Sequence, residues 1–387
     1  MKYILSNIII ASAVLLFTGC ENAEYKVTEN SIYLIDAVKT EKSTIIKMED
    51  GADIQISVRL AQQTTSDVEV GITFKPENIA QYNKINGTEY ESIPEDLLPK
   101  NVTVTIPAGE ISAGYKLHID KFNTGRITYA VPVELGEVIK GDIAKSNTQG
   151  KFIYVLAKPL ITSVPIMKGY GPENNAEKIT GAPAENWGIQ TPQWTLETWV
   201  RMDGFTKNNQ AIFDTGSYDT EKGRYAIYIR FGDANGPYNY LQVKIYNGQI
   251  ETAKDLTPNT WYHFAFVFDG SIFTIYRNGI KDVSFTPASI PDVAKFDYLK
   301  MISSSATYFK NNCSMSQIRL WKVARTETEI ANNMYYEVNP ANPNLIAYWP
   351  MNEGSGATFA DITKNGHDLT ADSHIIQGCD HDIRFDK

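Results

Sequence analysis

Two loops hold the side chains that saccharide recognition uses, aromatic faces beside amides and carboxylates. FGDANGPYNY (231–240) offers Asp233, Asn235, Tyr238, Asn239 and Tyr240 between two strand-like runs. DTGSYDTEKGR (214–224) adds Tyr218, Asp219 and Arg224, and Trp187 and Tyr308 are further aromatics outside the strongest strand patterns. The same residues also make ordinary polar hairpin loops, so both readings stand. Glycoside hydrolysis would need two facing carboxylates, which on one strand means acids at alternate positions. No strand-like run has that pattern: Glu197 stands alone in WTLETWV, and Glu134 and Glu137 have no partners. No Gly-x-Ser-x-Gly, His-Glu-x-x-His or P-loop occurs. Cys-x-x-Cys and Cys/His clusters are also missing, so zinc is not indicated. His263 follows Trp261 in an apolar strand and reads as structural.

Those loops need a scaffold of strands. In the first half, QISVRL (55–60), VEVGITF (68–74), VTVTIPAG (102–109), YKLHI (115–119), YAVPVEL (129–135) and KFIYVL (151–156) alternate with period two. Short strands at this spacing predict an Ig-like β-sandwich over 24–157. KPLITSVPIMKGYGP (158–172) has three prolines and two glycines and reads as a linker. Strand patterns resume over 173–387, at WTLETWV (194–200), RYAIYIRF (224–231), YLQVKIY (240–246), WYHFAFVF (261–268), SIFTIYR (271–277), SQIRLWKV (316–323) and LIAYWPM (345–351). Asn247-Gly248, Asn278-Gly279 and Asp269-Gly270 read as hairpin turns. Thr326 and Glu329 form a capping-box pattern and predict one short helix near 326–336. Trp199, Trp261, Trp321 and Trp349 lie in strand centres and read as core.

At the N-terminus, Lys2 precedes an apolar run from Tyr3 to Phe17, and then come Thr18, Gly19 and Cys20. This reads as a secretory signal over 1–19. LFTGC (16–20) is similar to a bacterial lipobox, with Phe17 where Leu is usual. The expected product is a lipoprotein acylated (palmitate included) on Cys20 and anchored in the outer membrane. Glu21 and Glu24, close behind, favour display on the cell surface. An exported chain meets an oxidising compartment, where Cys313 and Cys379 could form a disulfide or remain separate thiols. The formal net charge of −9, with no basic cluster, argues against nucleic acid as a partner.

YNKINGTEYESIPEDLLPKNVTVTIPAGEISAGYKLHI (82–119) followed by YAVPVEL resembles the uncharacterised N-terminal β-sandwich of many Bacteroidota surface lipoproteins. That resemblance implies a platform or spacer and no catalytic residues. Further on come WTLETWV, LTPNTWYHFAFVFDGSIFTIYRNG (256–279), MSQIRLWKVARTETEI (315–330) and LIAYWPMNEGSGATFADITKNGHDL (345–369). In this order they resemble the laminin-G-like, concanavalin A-like jelly roll. The overall expectation is an all-β chain, an Ig-like β-sandwich followed by a concanavalin A-like jelly-roll β-sandwich. Laminin-G-like relatives often hold Ca²⁺ through loop carboxylates and amides. ADITKNGHD supplies Asp361, Asn365 and Asp368 as candidate ligands, or as an Asx-rich turn bonding its own backbone. The leading functional expectation is non-catalytic glycan capture, with a polysaccharide-uptake complex as possible partner. The alternatives are an adhesin for host or neighbour proteins, or a glycoside hydrolase.

Overall fold

The computed structural model describes residues 30–386, apart from 41, 49, 159, 181–186, 219–224 and 373. The signal segment and Cys20 lie outside the described residues.

The first half is a two-sheet sandwich. Ser112–Asp120, Gly51–Leu60, Ser31–Leu34 and Ala144–Lys145 form one sheet in that order. The other runs Ser43–Lys47, Lys151–Ala157, Tyr129–Lys140, Val68–Phe74, Val102–Ile106. Alternation sets the faces: Ala52, Ile54, Ile56, Val58 and Leu60 point inward against Val102, Val104 and Ile106. A helix that the sequence reading did not anticipate, Pro76–Asn86, lies on the outer face of the second sheet. It starts on Pro76, whose fixed φ suits a first helical position, and stops at Gly87 in the left-handed region (φ 60°). Its core contact is small: Ile79 against Ala130, Ile153 and Val155.

The second half is a larger sandwich. One sheet runs Ile280–Phe285, Phe273–Arg277, Tyr262–Phe268, Trp194–Met202, Cys313–Trp321, Thr162–Met167, Ile376–Ile383, with Leu345–Trp349 also paired to Cys313–Trp321. The other runs Gly248–Glu251, Leu241–Ile245, Ile227–Phe231, Gln210–Gly216, Tyr298–Met301, Ile179–Thr180, Leu369–Ala371, Thr358–Phe359. Trp194, Leu196, Phe264, Phe266, Ile318 and Trp349 from the first sheet meet Phe213, Ile229, Phe231, Val243 and Met301 from the second.

Several expectations need correction. The 158–172 segment is not simply a linker, because Thr162–Met167 is a strand bonded on both edges, to Cys313–Trp321 and Ile376–Ile383. The same pairing separates the cysteines. Cys313 stands opposite Met167 on one side, and Cys379 opposite Pro165 on the other. Two strand spacings put them about 10 Å apart, beyond the 4.4–6.8 Å Cα range of a disulfide, and both are free thiols. The Asn247-Gly248 hairpin turns one residue earlier: Tyr246 and Asn247 have positive φ, and Ile245 pairs with Gly248. Asp269-Gly270 belongs to a four-residue loop in which the Asp269 carboxylate accepts from the Ser271 and Ile272 amides. Asn278-Gly279 is the expected two-residue turn. The capping box at Thr326 is formed, and the helix it starts is Glu327–Asn333. Trp199, Trp321 and Trp349 are buried, whereas Trp261 is half-buried, edge-on to Phe385.

Candidate functional site

Period-two alternation in the second sheet sends one set of side chains into the core and the other to its outer face. Ile227, Ile229 and Phe231 go inward, so Tyr228 and Arg230 go outward; Leu241, Val243 and Ile245 go inward, so Gln242 and Lys244 go outward. Tyr298 and Lys300 alternate with Leu299 and Met301 in the same way. Strand register aligns these residues in two rungs. One reads Lys244, Tyr228, Asp214, Lys300, and the next Glu251, Gln242, Arg230, Ala211.

The second rung is a closed network. Arg230 donates to Gln242 Oε1 at 3.1 and 2.7 Å and to Asn209 Oδ1 at 3.0 Å, and pairs with Asp233 at 2.6 Å. The Gln242 amide donates to Asp233 at 3.0 Å and to Glu251 at 2.9 Å. In the first rung, Asp214 accepts at 3.3 Å from the hydroxyl of Tyr298, which stands one rung further along opposite Gly216, and Lys300 sits 4.4 Å from the Tyr298 ring centroid. Tyr228 donates to Asn209. Beside this rung the exposed Tyr218 ring stacks on Tyr298, with centroids 4.8 Å apart. Tyr218 is held in place by its backbone N–H, which donates to Asp297 at 2.9 Å.

The electrostatics follow from burial and partners. Burial raises the Asp214 pKa, and Lys300 and the Tyr298 hydroxyl offset only part of that. Burial, with Asp214 nearby, also raises the Tyr298 phenol. Burial works against the Asp233 carboxylate too, but the Gln242 hydrogen bond and Arg230 outweigh it and lower its pKa. Asp233 and Glu251 accept from one amide nitrogen, so their nearest oxygens lie within about 6 Å. Carboxylates that close serve glycoside hydrolysis when one is kept protonated as the acid. Here Asp233 is held ionised, Glu251 faces solvent, and Gln242 stands between them. Asp214, the carboxyl with the raised pKa, is one rung along and three strands over from Glu251, which puts their Cα atoms about 15 Å apart.

The structure gathers only some of the predicted contacts here. Tyr218 and Asp233 belong to this face. The Tyr240 hydroxyl accepts from the Asp233 N–H at 2.8 Å and so shapes the loop from within. Tyr238 covers Gly232, where any Cβ would strike its ring. Asn239 sits against Leu256 through its carbonyl and amide, and Asn235 is exposed at the loop tip. Trp187 is packed on Trp349 and His367 at the edge of the core. Asp219 and Arg224 lie outside the described residues. Sequence reading missed Asp214, Tyr228, Arg230, Gln242, Glu251 and Tyr298. The polar positions alternating with Ile and Val in RYAIYIRF and YLQVKIY were the available signal.

The candidate calcium residues are turned onto the backbone. Asp361 accepts from the N–H groups of Tyr348, Thr363 and His367, Asp368 from that of Asp361, and Asn365 donates to the Leu345 and Ile346 carbonyls. This is the Asx-rich turn of the alternative reading, and no metal-ligating group of three or more acids, His or Cys occurs among the described residues.

Glu197 is not isolated. It is fully buried on the opposite sheet, 3.5 Å from Arg325, 3.6 Å from Arg319 and 3.5 Å from His263. Burial opposes its charge, but Arg325, His263 and Arg319 outweigh burial and hold its pKa down to about 2. Burial keeps His263 neutral by lowering its pKa. Helix Glu327–Asn333 packs Ile330 over Ala265 and Val267 beside this cluster. The N-terminal sandwich adds to the cover through Glu89, bonded to Asn342, and through Arg126, 3.1 Å from Glu337. Glu197 has no exposed surface, and its neighbours are charged groups of the protein itself.

A family model described as the concanavalin A-like lectin/glucanases superfamily matches residues 175–331, and a model of an N-terminal domain matches 28–140. Pappalysin-1 of Mus musculus is 26% identical over 156 residues, covering 36% of this chain and 10% of that protein. Human pappalysin-1 is 25% identical over 208 residues, covering 47% and 12%. The chain thus spans about a tenth of the length of these curated relatives. Among solved structures, a Bacteroides ovatus protein described provisionally as carbohydrate binding superposes with a TM-score of 0.56 at 22% identity, over 92% of this chain and all of that one. That likeness is one of fold and extends over both sandwiches. The C-terminal half of this chain is therefore a concanavalin A-like domain, preceded by a separate N-terminal β-sandwich.

Proposed function

We propose that this protein is a non-catalytic, lipid-anchored surface protein that captures glycan on the outer face of its second C-terminal sheet. One observation carries the reading: the exposed Tyr218 ring, stacked on Tyr298, closes one end of a polar outer face whose other end is the Arg230–Gln242–Asp233–Glu251 network, the two separated by the Tyr228–Asp214–Lys300 rung, with Tyr298 about 16 Å from Arg230 between Cα atoms. An aromatic ring offers the apolar platform that one sugar unit's C–H face needs, and further along the face the accessible carboxylates Asp233 and Glu251, fixed by the buried Arg230 and Gln242, offer acceptors to the hydroxyls of further units of an oligosaccharide. The lectin-type fold supports this reading, as does the description of the Bacteroides ovatus protein. The Asp233–Glu251 pair, both spanned by Gln242, supports binding over hydrolysis. The lipobox-like LFTGC with Glu21 and Glu24 supports anchoring at Cys20 on the outer membrane, facing outward, where an uptake complex would use captured polysaccharide. The N-terminal sandwich then lifts the lectin-like domain away from the membrane. A glycan array probed with the soluble fragment 24–387 tests this. Selective binding of a glycan class without release of reducing sugar is expected; release of reducing sugar would replace the reading with a hydrolase.

A further inference from the structure

The N-terminal sandwich has a groove of its own, of about 260 Å³, between helix Pro76–Asn86 and the start of strand Lys151–Ala157. The helix buries Ile79 on the sheet and turns the stripe 78, 81, 82, 85, 86 toward the groove, the i, i+3, i+4, i+7, i+8 spacing of one helix face. Ile85 on this stripe is 73% exposed, high for a large apolar side chain that packing does not require there. Tyr82 is fixed twice, by stacking on Tyr90 at 6.1 Å and by a 2.8 Å hydrogen bond to Ser43. Gln81 and Asn147, both exposed, bring amide groups to opposite walls.

The charge around this groove is unlike that of the chain as a whole. Lys42 and Lys151 line it, and no Asp or Glu does among the described residues. Lys42 donates to the Ala37 and Thr148 carbonyls. Lys151 shares one carboxylate, Glu134, with Lys75, at 3.5 and 3.1 Å. Lys151 also donates to Asn78 at 2.9 Å, and among the described residues the lining carries positive charge on a chain of net charge −9. An occupant that fits would press an apolar ring face on Tyr82 and Ile85, give hydroxyls to Gln81 and Asn147, and bring an anion to the two ammonium groups.

We propose that this groove is a second glycan site, selective for a sugar ring that carries a carboxylate. It is independent of the sheet-face site and gives the N-terminal sandwich a recognition role as well as a spacing one.

Isothermal titration of fragment 24–387 with trigalacturonate and sialyllactose, against neutral maltotriose and lactose, tests the proposal. At least one acidic probe should bind, more tightly than its neutral counterpart and more weakly as salt rises. Ile85→Asp, at an exposed position, and Gln81→Ala should each weaken that binding by about tenfold without moving the melting temperature. Tyr218→Ala should leave it unchanged. Failure of both acidic probes at millimolar concentration, equal binding of neutral sugars, or an Ile85→Asp variant that binds as wild type would each overturn the proposal. Loss of acidic-sugar binding in Tyr218→Ala would overturn it too, by moving the ligand to the other domain.

Discussion

Replacing Glu197 by Gln keeps the side-chain volume and removes one charge, so the cost reports electrostatics and not a cavity. The carboxylate lies 3.5–3.6 Å from two guanidinium groups that are themselves almost wholly buried. At an effective dielectric near 20, each contact is worth roughly 5 kcal/mol of gross attraction. Desolvation of all three ions cancels much of that in the native protein. The Glu197→Gln substitution would leave Arg319 and Arg325 buried without the carboxylate between them, with Glu89 nearby as a counter-charge. Breaking a buried pair from one side costs about 3–5 kcal/mol. For a domain of this size that lowers Tm by roughly 6–20 °C. Thermal melting followed by near-ultraviolet circular dichroism reads the tryptophan-rich sandwich directly. Glu197→Gln with Arg319→Met and Arg325→Met should recover part of the loss, because no guanidinium is then stranded and Glu89, whose pKa burial already raises, takes up a proton more readily once both arginines are gone. A single Glu197→Gln shift below about 3 °C would refute the reasoning, and altered glycan binding without unfolding would return Glu197 to the functional site.

The same cluster sets an acid limit. Glu197 has a lowered folded pKa, so its stabilisation is complete above the unfolded value near 4.5 and is lost as pH falls toward 2. His263 is also lowered, so below its ordinary 6.5 the unfolded chain takes up the proton first and stability falls further. Urea midpoints between pH 7 and 3 should decline, and Glu197→Gln should flatten the lower part of the curve; a wild-type profile flat across that range contradicts both assignments. Trp349→Ala removes a fully buried indole whose N–H donates to the His367 carbonyl at 2.7 Å and should cost about 3–5 kcal/mol in urea unfolding. Thiol titration of fragment 24–387, denatured without reductant, should find both Cys313 and Cys379 reactive; no reactive thiol would restore the disulfide.

The two sandwiches were legible because alternation marks a half-buried strand at every second residue, and Val102, Val104 and Ile106 show it without exception. Thr162–Met167 was not legible: its proline and short apolar run read as a connector, and only pairing on both edges makes it a strand. Helix Pro76–Asn86 was missed because it buries little beyond Ile79, so it has almost no apolar period to detect. At the site, loop aromatics drew attention to Tyr218 and Asp233, but Arg230, Gln242 and Glu251 meet only through the register of three strands. Glu197 looked isolated for the same reason, since its partners are 66, 122 and 128 positions away in sequence.

The central claim is that the Tyr218 face of the second sheet holds the sugar. The direct measurement is calorimetric titration of the best array ligand into fragment 24–387 and its Tyr218→Ala variant. Tyr218 is half exposed and its removal leaves the core intact, so the account predicts affinity weakened by about tenfold or more with Tm unchanged. Wild-type affinity in the variant would contradict it.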